Sequence, residues 1–180
     1  MNQPGQLHIP EPADVALVAE QLGRPPRKPW RVAARCSFGR PTTIVSPSLL
    51  SDGTPFPTYA WLTCPHLVQH VGTLESSGAT SRYVERATRE RSLESSLFAL
   101  DARIRVLRAV ESGGVDACQD VGVGGQRDPL GVKCLHVHVA LALLGEDDVI
   151  GTEVLATMAR ECEDDRCAGL LGDRATGEAS

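Results

Sequence analysis

The chain has 180 residues, of which 42% are hydrophobic, 23% charged and only 4% aromatic, so it is long enough for one domain with a core of leucine, valine and alanine. A formal net charge of −5 and a pI near 5.5 argue against nucleic-acid binding through bulk charge. No apolar run approaches the roughly 20 residues that span a bilayer, and the first residues lack the pattern of a secretory signal. We therefore expect a cytoplasmic protein without a membrane segment.

The first half of the chain carries the pattern of a short helix followed by three strands. Residues 13–22 repeat apolar side chains at helical spacing, and a glycine and a proline-rich segment then end the helix. Residues 30–36 and 42–45 are alternating or β-branched runs separated by turn residues, which predicts a hairpin. Residues 58–63 predict a third strand. Together these runs predict a small antiparallel sheet.

Helical patterns dominate the second half of the chain. Residues 66–74, 132–144 and 151–160 each predict a helix. A longer helix is predicted over residues 80–111, because an apolar seam recurs there at steps of three and four residues opposite an arginine-rich side. The seam consists of Leu93, Leu97, Leu100, Ile104 and Leu107. It predicts a helix that faces the core, and a homodimer through this helix is the alternative.

These patterns predict an α+β fold, in which a small three-stranded antiparallel sheet packs with helices that include one long helix at about residues 80–111. A single domain is expected over residues 12–161. Residues 1–11 are polar and contain prolines, which predicts a flexible N-terminus. Residues 162–180 are acidic and then small and polar, which predicts a flexible tail.

A short stretch of sequence, GVKCLHVHVA, places Cys134, His136 and His138 close together. Six cysteines in a cytoplasmic chain indicate free thiols, metal ligands or redox groups rather than structural disulfides. In a strand all three side chains would share one face, whereas in a helix Cys134 and His138 would lie one turn apart and His136 would point elsewhere. The leucines and alanines that follow favour the helix, and with it the Cys134–His138 pair.

Two ligands do not make a structural zinc site, which generally has four nitrogen or sulfur ligands. Cys36, at the end of the first predicted strand, and Cys64, at the end of the third, could complete a set with Cys134 and His138. Thiolates and an imidazole suit zinc, and the same ligand types hold iron–sulfur clusters. No CxxC pair is present, so each cysteine could instead be a small core residue. The reserve ligands are Cys118, Cys162 and Cys167.

An enzymatic alternative uses Cys64 as a nucleophile. It precedes a predicted helix and lies two residues before His66, and both a helix N-terminus and an imidazole lower the pKa of a thiol. His136 could replace His66 in this role, and Asp52 or Glu75 could supply a carboxylate. No nucleophile elbow, HExxH motif or phosphate-binding loop identifies a reaction.

The loop DGTPFPT at residues 52–58 has two interpretations. With Arg35 and Arg40 it could form an anion or phosphate site, which in the enzymatic alternative would bind a phosphorylated or acyl substrate. Its glycine and prolines equally suit a turn that closes the sheet, and this is the interpretation we favour.

Three blocks of the sequence resemble a bacterial family that is common in actinobacteria, domain-of-unknown-function family 501. They are DGTPFPT, WLTCP at residues 61–65 and VKCLH at residues 132–136, and the similarity runs over about residues 17–155. The family is uncharacterised, so the resemblance implies no reaction.

The resemblance does imply particular site residues. The recurring thiols of the family fall on Cys36, Cys64 and Cys134, and its recurring histidine falls on His136, in conflict with the histidine that helical periodicity selects. Many relatives carry a second cysteine two places after the first, where this chain has Phe38. If that sulfur is a ligand in relatives, another residue has to replace it here.

The sequence thus leads to three functional hypotheses. The first and preferred one is a Cys/His metal-binding domain that holds zinc or an iron–sulfur cluster, with a structural, sensing or regulatory role and an unidentified protein partner. The second is an enzyme with a Cys64–histidine pair that acts on a phosphorylated or acyl substrate. The third is a metal-free interaction domain that uses the long helix.

Overall fold

Three short antiparallel strands form the sheet of the computed structural model, which describes residues 8–170. They are β1 (Arg31–Arg35), β2 (Pro41–Val45) and β3 (Ala60–Leu62), in the spatial order β1–β2–β3. All residues of β2 are buried because it is the middle strand. The predicted hairpin and third strand are confirmed, and with them the α+β fold class.

Helices make up most of the rest of the described chain. Within the described residues they are α1 (Pro12–Leu22), α2 (Pro65–Ser76), α3 (Ala79–Arg89), α4 (Arg91–Glu111), α5 (Leu135–Leu143), α6 (Val149–Leu155) and α7 (Cys167–Leu170). Of these helices, α1 and α5 pack on the sheet. Two of the predicted helices are shorter than the apolar pattern indicates, since α5 begins only at Leu135 and α6 ends at Leu155.

Local signals in the sequence set several of the helix ends. Glu11 and Asp14 form a capping box at the start of α1, and Gly23 ends this helix with a φ of +67°, which glycine adopts without steric cost. Pro65 occupies the first position of α2, where its missing N–H removes no helical hydrogen bond. Asp148 caps α6 by accepting an N–H of the first turn at 2.8 Å.

The helix predicted over residues 80–111 is two helices, α3 and α4, which meet at Glu90. This residue has an extended backbone with φ −107° and ψ 102°. The junction contains neither glycine nor proline, so no residue of low helical propensity marks the break. Arg86 of α3 binds the carboxylate of Glu153 on α6 at 2.7 Å.

The apolar seam of α4 faces the core, as its periodicity predicts. Its buried members are Leu93, Leu97, Leu100 and Ile104. These side chains pack inside the chain itself, and a homodimer through this helix stays a prediction.

Helix α5 lies at the centre of the core and is apolar on nearly all sides, as expected for a buried helix. Leu135, Val139 and Leu141 are fully buried, and the helix packs against both β3 and α6. The approach to α6 is closest at Gly151, where an added Cβ would lie 2.0 Å from the backbone oxygen of His138. Only glycine permits this approach.

Arg108 of α4 is fully buried and connects two loops to the core. Its guanidinium binds Asp116 at 2.8 Å, and it donates to the carbonyls of Pro57 at 2.9 Å and Gly122 at 3.1 Å. Pro57 lies in the DGTPFPT loop, and Gly122 lies in a glycine-rich loop. Arg108 therefore anchors the DGTPFPT loop to the core, and the choice between a turn and an anion site stays a prediction.

Both ends of the described chain contact the rest of the fold. His8 forms an isolated antiparallel bridge with Val32 of β1. Cys167, near the other end, is buried. Most of the two segments predicted to be flexible, residues 1–11 and 162–180, lies outside the described residues.

Candidate functional site

Three side chains with metal-ligand atoms meet where α2 lies beside the start of α5. They are Glu75 near the end of α2, Cys134 immediately before α5, and His136 in the first turn of α5. The Nδ1 atom of His136 lies 3.4 Å from Sγ of Cys134 and 3.2 Å from Oε1 of Glu75. The three ligand atoms all lie within 4.8 Å of one another, and residues 8–170 contain no other such group.

The main chain positions these side chains. Cys134 has an extended backbone, with φ −159° and ψ 127°. The N–H of Leu135 donates to Oε1 of Glu75 at 2.6 Å, so this carboxylate lies at the positive end of the α5 dipole. The Nε2 atom of His136 lies 3.3 Å from the carbonyl oxygen of Val68. This contact favours a proton on Nε2, which leaves the Nδ1 lone pair toward the thiol and the carboxylate.

The electrostatic environment of the cluster favours a positive charge. The hydrogen bond with Cys134 raises the pKa of His136 to about 9, with help from the Glu75 carboxylate and the Val68 carbonyl and against the effect of burial. The groups that hold a proton at this imidazole would equally attract a metal cation in its place.

The cluster offers one sulfur, one nitrogen and one oxygen, and all three residues are partly exposed. The side chains of Glu75 and His136 are each 26% exposed, so solvent can reach the group. Three protein ligands with a fourth position open to solvent are typical of zinc sites that bind water or a further ligand.

His138, the ligand that helical periodicity favours, lies elsewhere. It is buried, and its Nδ1 atom lies 2.8 Å from Oδ2 of Asp148. Because Cys134 precedes the helix with an extended backbone, it and His138 do not stand one helical turn apart. The histidine beside Cys134 is His136, the one that the family resemblance implies.

The structure does not bring Cys36 and Cys64 to Cys134. Cys64 precedes the first residue of α2 and Glu75 lies at its far end, which separates their Cα atoms by roughly 16 Å at 1.5 Å per residue. Cys36 follows the last residue of β1. No three ligand atoms from the predicted set lie within 4.8 Å of one another. Metal binding by Cys36 and Cys64 stays a prediction.

The predicted catalytic pair, Cys64 and His66, has other contacts. Burial raises the pKa of Cys64, and the nearby N–H groups of Leu67 and His66 offset this effect only in part. The Nε2 atom of His66 lies 2.9 Å from the carbonyl oxygen of Ala159. This geometry does not favour a reactive thiolate at Cys64, and a catalytic role for the pair stays a prediction.

Arg35 and Arg40, the predicted anion ligands, each bind a carboxylate of the chain. Arg35 binds both oxygens of Asp14 at 2.7 and 2.8 Å, which raises the pKa of Arg35 and lowers that of Asp14. Arg40 binds Asp165 at 3.0 and 3.2 Å. A bound anion would have to compete with these carboxylates, and anion binding stays a prediction.

Glu75 is the one residue of the cluster that the sequence does not predict as a metal ligand. The sequence suggested it only as a carboxylate partner for Cys64. Its contact with the start of α5 joins residues 60 positions apart, and a contact over that distance leaves no local pattern in a single sequence.

Comparison with known proteins places the chain near one family. The family model described as "Protein of unknown function (DUF501)" matches residues 32–156, which include all three residues of the cluster. Searches of curated proteins and of solved structures found no match. Among the described residues, no helix is long and apolar enough to cross a membrane.

Proposed function

The chain belongs to the DUF501 family of proteins of unknown function, and from that starting point we propose that it is a zinc-binding domain with a sensing or regulatory role. The proposed ligands are Glu75, Cys134 and His136. One observation carries the proposal: a carboxylate oxygen, a thiol sulfur and an imidazole nitrogen all lie within 4.8 Å of one another.

The types of ligand atom favour zinc over other biological cations. Calcium and magnesium prefer oxygen ligands, whereas zinc binds cysteine, histidine and carboxylate together. Two atoms bound at about 2.1 Å to a tetrahedral ion lie about 3.4 Å apart. The Nδ1 atom of His136 lies 3.4 Å from the Cys134 sulfur and 3.2 Å from the Glu75 oxygen, so small side-chain shifts suffice to bind the ion.

The exposure of the cluster supports a regulatory rather than a purely structural role. A structural zinc ion is usually enclosed by four protein ligands. Here three ligands and partly exposed side chains leave a position for water or for a group from a partner molecule. Zinc at such a site can dissociate into solvent and bind again. Because the ion would link Glu75 of α2 to Cys134 and His136 at the start of α5, its loss would weaken the contact between these two helices.

Zinc titration of the chelator-treated chain, with competition against a zinc indicator, tests this proposal. We expect Cys134→Ser and His136→Gln each to weaken zinc binding at this site by at least about 100-fold. Mutating a residue that only hydrogen-bonds to a metal ligand already lowers metal affinity by up to about 100-fold, and losing the ligand itself should lower it more. His70→Gln is the matched control, since His70 is a partly exposed histidine of α2 outside the cluster. Unchanged binding in both cluster variants would contradict the proposal.

A thiol-based enzyme is a second candidate, because the same geometry places an imidazole beside a thiol. With Nδ1 of His136 3.4 Å from Sγ of Cys134, a protonated imidazole would stabilise a nucleophilic thiolate at Cys134. The rate of alkylation by iodoacetamide separates the two functions. Zinc should protect Cys134 if the residue is a metal ligand, whereas fast alkylation that zinc does not change would favour the enzyme.

A further inference from the structure

Four cysteines outside the Glu75–Cys134–His136 cluster lie on segments that meet at one end of the sheet. Cys36 follows β1, and Cys64 follows the short β3 strand. These two strand ends flank the start of β2, because β2 pairs antiparallel with both neighbours. Cys162 and Cys167 lie on the C-terminal segment of the described chain.

Hydrogen bonds hold the C-terminal segment against this end of the sheet. The N–H of Ser37, next to Cys36, donates to Oε1 of Glu161 at 2.7 Å. Glu161 immediately precedes Cys162. Arg40, at the other end of the same turn, binds both oxygens of Asp165. The chain therefore fixes the backbone around Cys36 and around the C-terminal cysteines in one place.

Two of the four thiols, those of Cys64 and Cys167, are buried. Cys64 is 6% exposed, and burial raises the pKa of its thiol while the nearby N–H groups of Leu67 and His66 lower it in part. Cys167 is 4% exposed, and Nε2 of Gln21 donates to its sulfur at 3.4 Å. Donors directed at sulfur stabilise a thiolate over a thiol.

The four thiols lie near enough to influence one another's ionisation. Burial raises the pKa of Cys64, and the charges of Cys167 and Cys162 raise it further. Burial likewise raises the pKa of Cys167, with added effects from Cys162 and Cys36.

We propose that Cys36, Cys64, Cys162 and Cys167 bind one zinc ion as four thiolates. This site is separate from the cluster between α2 and α5, and the proposal does not rest on that cluster binding metal. Four cysteines are a common ligand set for structural zinc. The ion would attach the C-terminal segment to the sheet and so complete the fold at this end.

Zinc binding at this site requires the cysteine side chains to rotate. Sulfurs around a tetrahedral zinc ion lie about 3.8 Å apart, given bonds of about 2.3 Å. No three of the four sulfurs lie within 4.8 Å of one another in the described chain. The hydrogen bonds fix the backbone while the thiols turn toward a common centre, and each thiol releases its proton to solvent as its bond to zinc forms.

Cobalt substitution of the full chain, purified with reductant and stripped of metal, tests the proposal. Cobalt bound by four thiolates gives strong sulfur-to-metal charge-transfer absorption, whereas cobalt bound by one thiolate gives a weaker spectrum at different wavelengths. We expect the tetrathiolate spectrum in the unaltered chain and in Cys134→Ser. Its loss is expected in Cys162→Ser and Cys36→Ser, together with a fall of about one zinc ion per chain relative to the unaltered chain.

The variants are chosen so that misfolding cannot imitate loss of the metal. Cys162 and Cys36 are only partly buried and lie on different segments, and the far-ultraviolet circular dichroism of each metal-free variant should match that of the metal-free unaltered chain. Cys118→Ser is the matched control and should keep the tetrathiolate spectrum. A cobalt-loaded unaltered chain without that spectrum, or an unchanged spectrum in Cys162→Ser and Cys36→Ser, would overturn the proposal.

Discussion

Replacing Arg108 by methionine removes a buried charge that binds one carboxylate and several main-chain carbonyls. Arg108 has no exposed side-chain surface, and its partner Asp116 is 7% exposed. Leaving a buried carboxylate without its partner costs about 3–5 kcal/mol, and carbonyls that lose a donor add about 1 kcal/mol or more. We therefore expect Arg108→Met to lower the free energy of unfolding by about 4–6 kcal/mol.

The same helix supplies a matched control. Arg103 also binds a carboxylate, that of Glu146 at 2.8 Å, but its side chain is 53% exposed. Exposed ion pairs contribute only about 0–1 kcal/mol, so Arg103→Met should cost less than about 1 kcal/mol. Urea unfolding followed by circular dichroism in the presence of a chelator measures both variants without a contribution from metal.

A further substitution identifies the source of the loss. Adding Asp116→Asn to Arg108→Met neutralises the unpaired carboxylate and should recover about 2 kcal/mol. The reasoning is refuted if Arg108→Met costs no more than Arg103→Met. Equal losses would mean that the two loops bound by Arg108 are held by other contacts.

The remaining predictions concern the core and two titrating groups. Gly151→Ala should destabilise the chain by more than about 3 kcal/mol in thermal unfolding, because its Cβ would lie 2.0 Å from a backbone oxygen of α5. Gly72→Ala is the control: a Cβ there would have nothing within 4 Å, so this variant should be neutral or stabilising by up to about 1 kcal/mol. Arg35 lowers the pKa of Asp14, so the ion pair stabilises the fold above the ordinary pKa of the carboxyl and this stability is lost as the pH falls. On acid titration, the free energy of unfolding should therefore fall less in Asp14→Asn than in the unaltered chain. The neighbouring thiol raises the pKa of His136 to about 9 in the metal-free chain. The stability that comes from protonating His136 should therefore be complete below the unfolded-state pKa of about 6.5 and should be lost as the pH rises through about 9. Nuclear magnetic resonance titration of the chain in the presence of a chelator should report a pKa of about 9 for His136.

Much of the fold could be predicted because its signals are local. The strands and helices follow apolar periodicity, turn residues and prolines, and each predicted helix has a counterpart. The break at Glu90 could not be predicted, because the junction between α3 and α4 contains neither glycine nor proline. The contacts of α3 with other elements, such as the Arg86–Glu153 pair with α6, join residues far apart in the chain and leave no local pattern.

The candidate site was predictable only in part. The stretch containing Cys134 and His136 stood out by composition, but the choice of histidine depended on where α5 begins. Helical periodicity selected His138 on the assumption that Cys134 lies inside the helix, whereas Cys134 has an extended backbone before the first helical residue. Glu75 enters through a contact between α2 and α5 that has no trace in local sequence.

The C-terminal cysteines show the same limit. The sequence separated Cys162 and Cys167 from the others because they fall in an acidic segment near the end of the chain. The hydrogen bond of Ser37 to Glu161 joins residues 124 positions apart, and only such tertiary contacts bring this segment to Cys36 and Cys64.

X-ray absorption at the zinc edge tests the central claim most directly, when measured on Cys162→Ser loaded with one equivalent of zinc. This variant keeps Glu75, Cys134 and His136 but lacks one thiol of the second proposed site. Binding at the cluster predicts a first shell with one sulfur at about 2.3 Å and nitrogen or oxygen neighbours at about 2.0–2.2 Å. A shell without sulfur, or no specifically bound zinc at all, would contradict the claim.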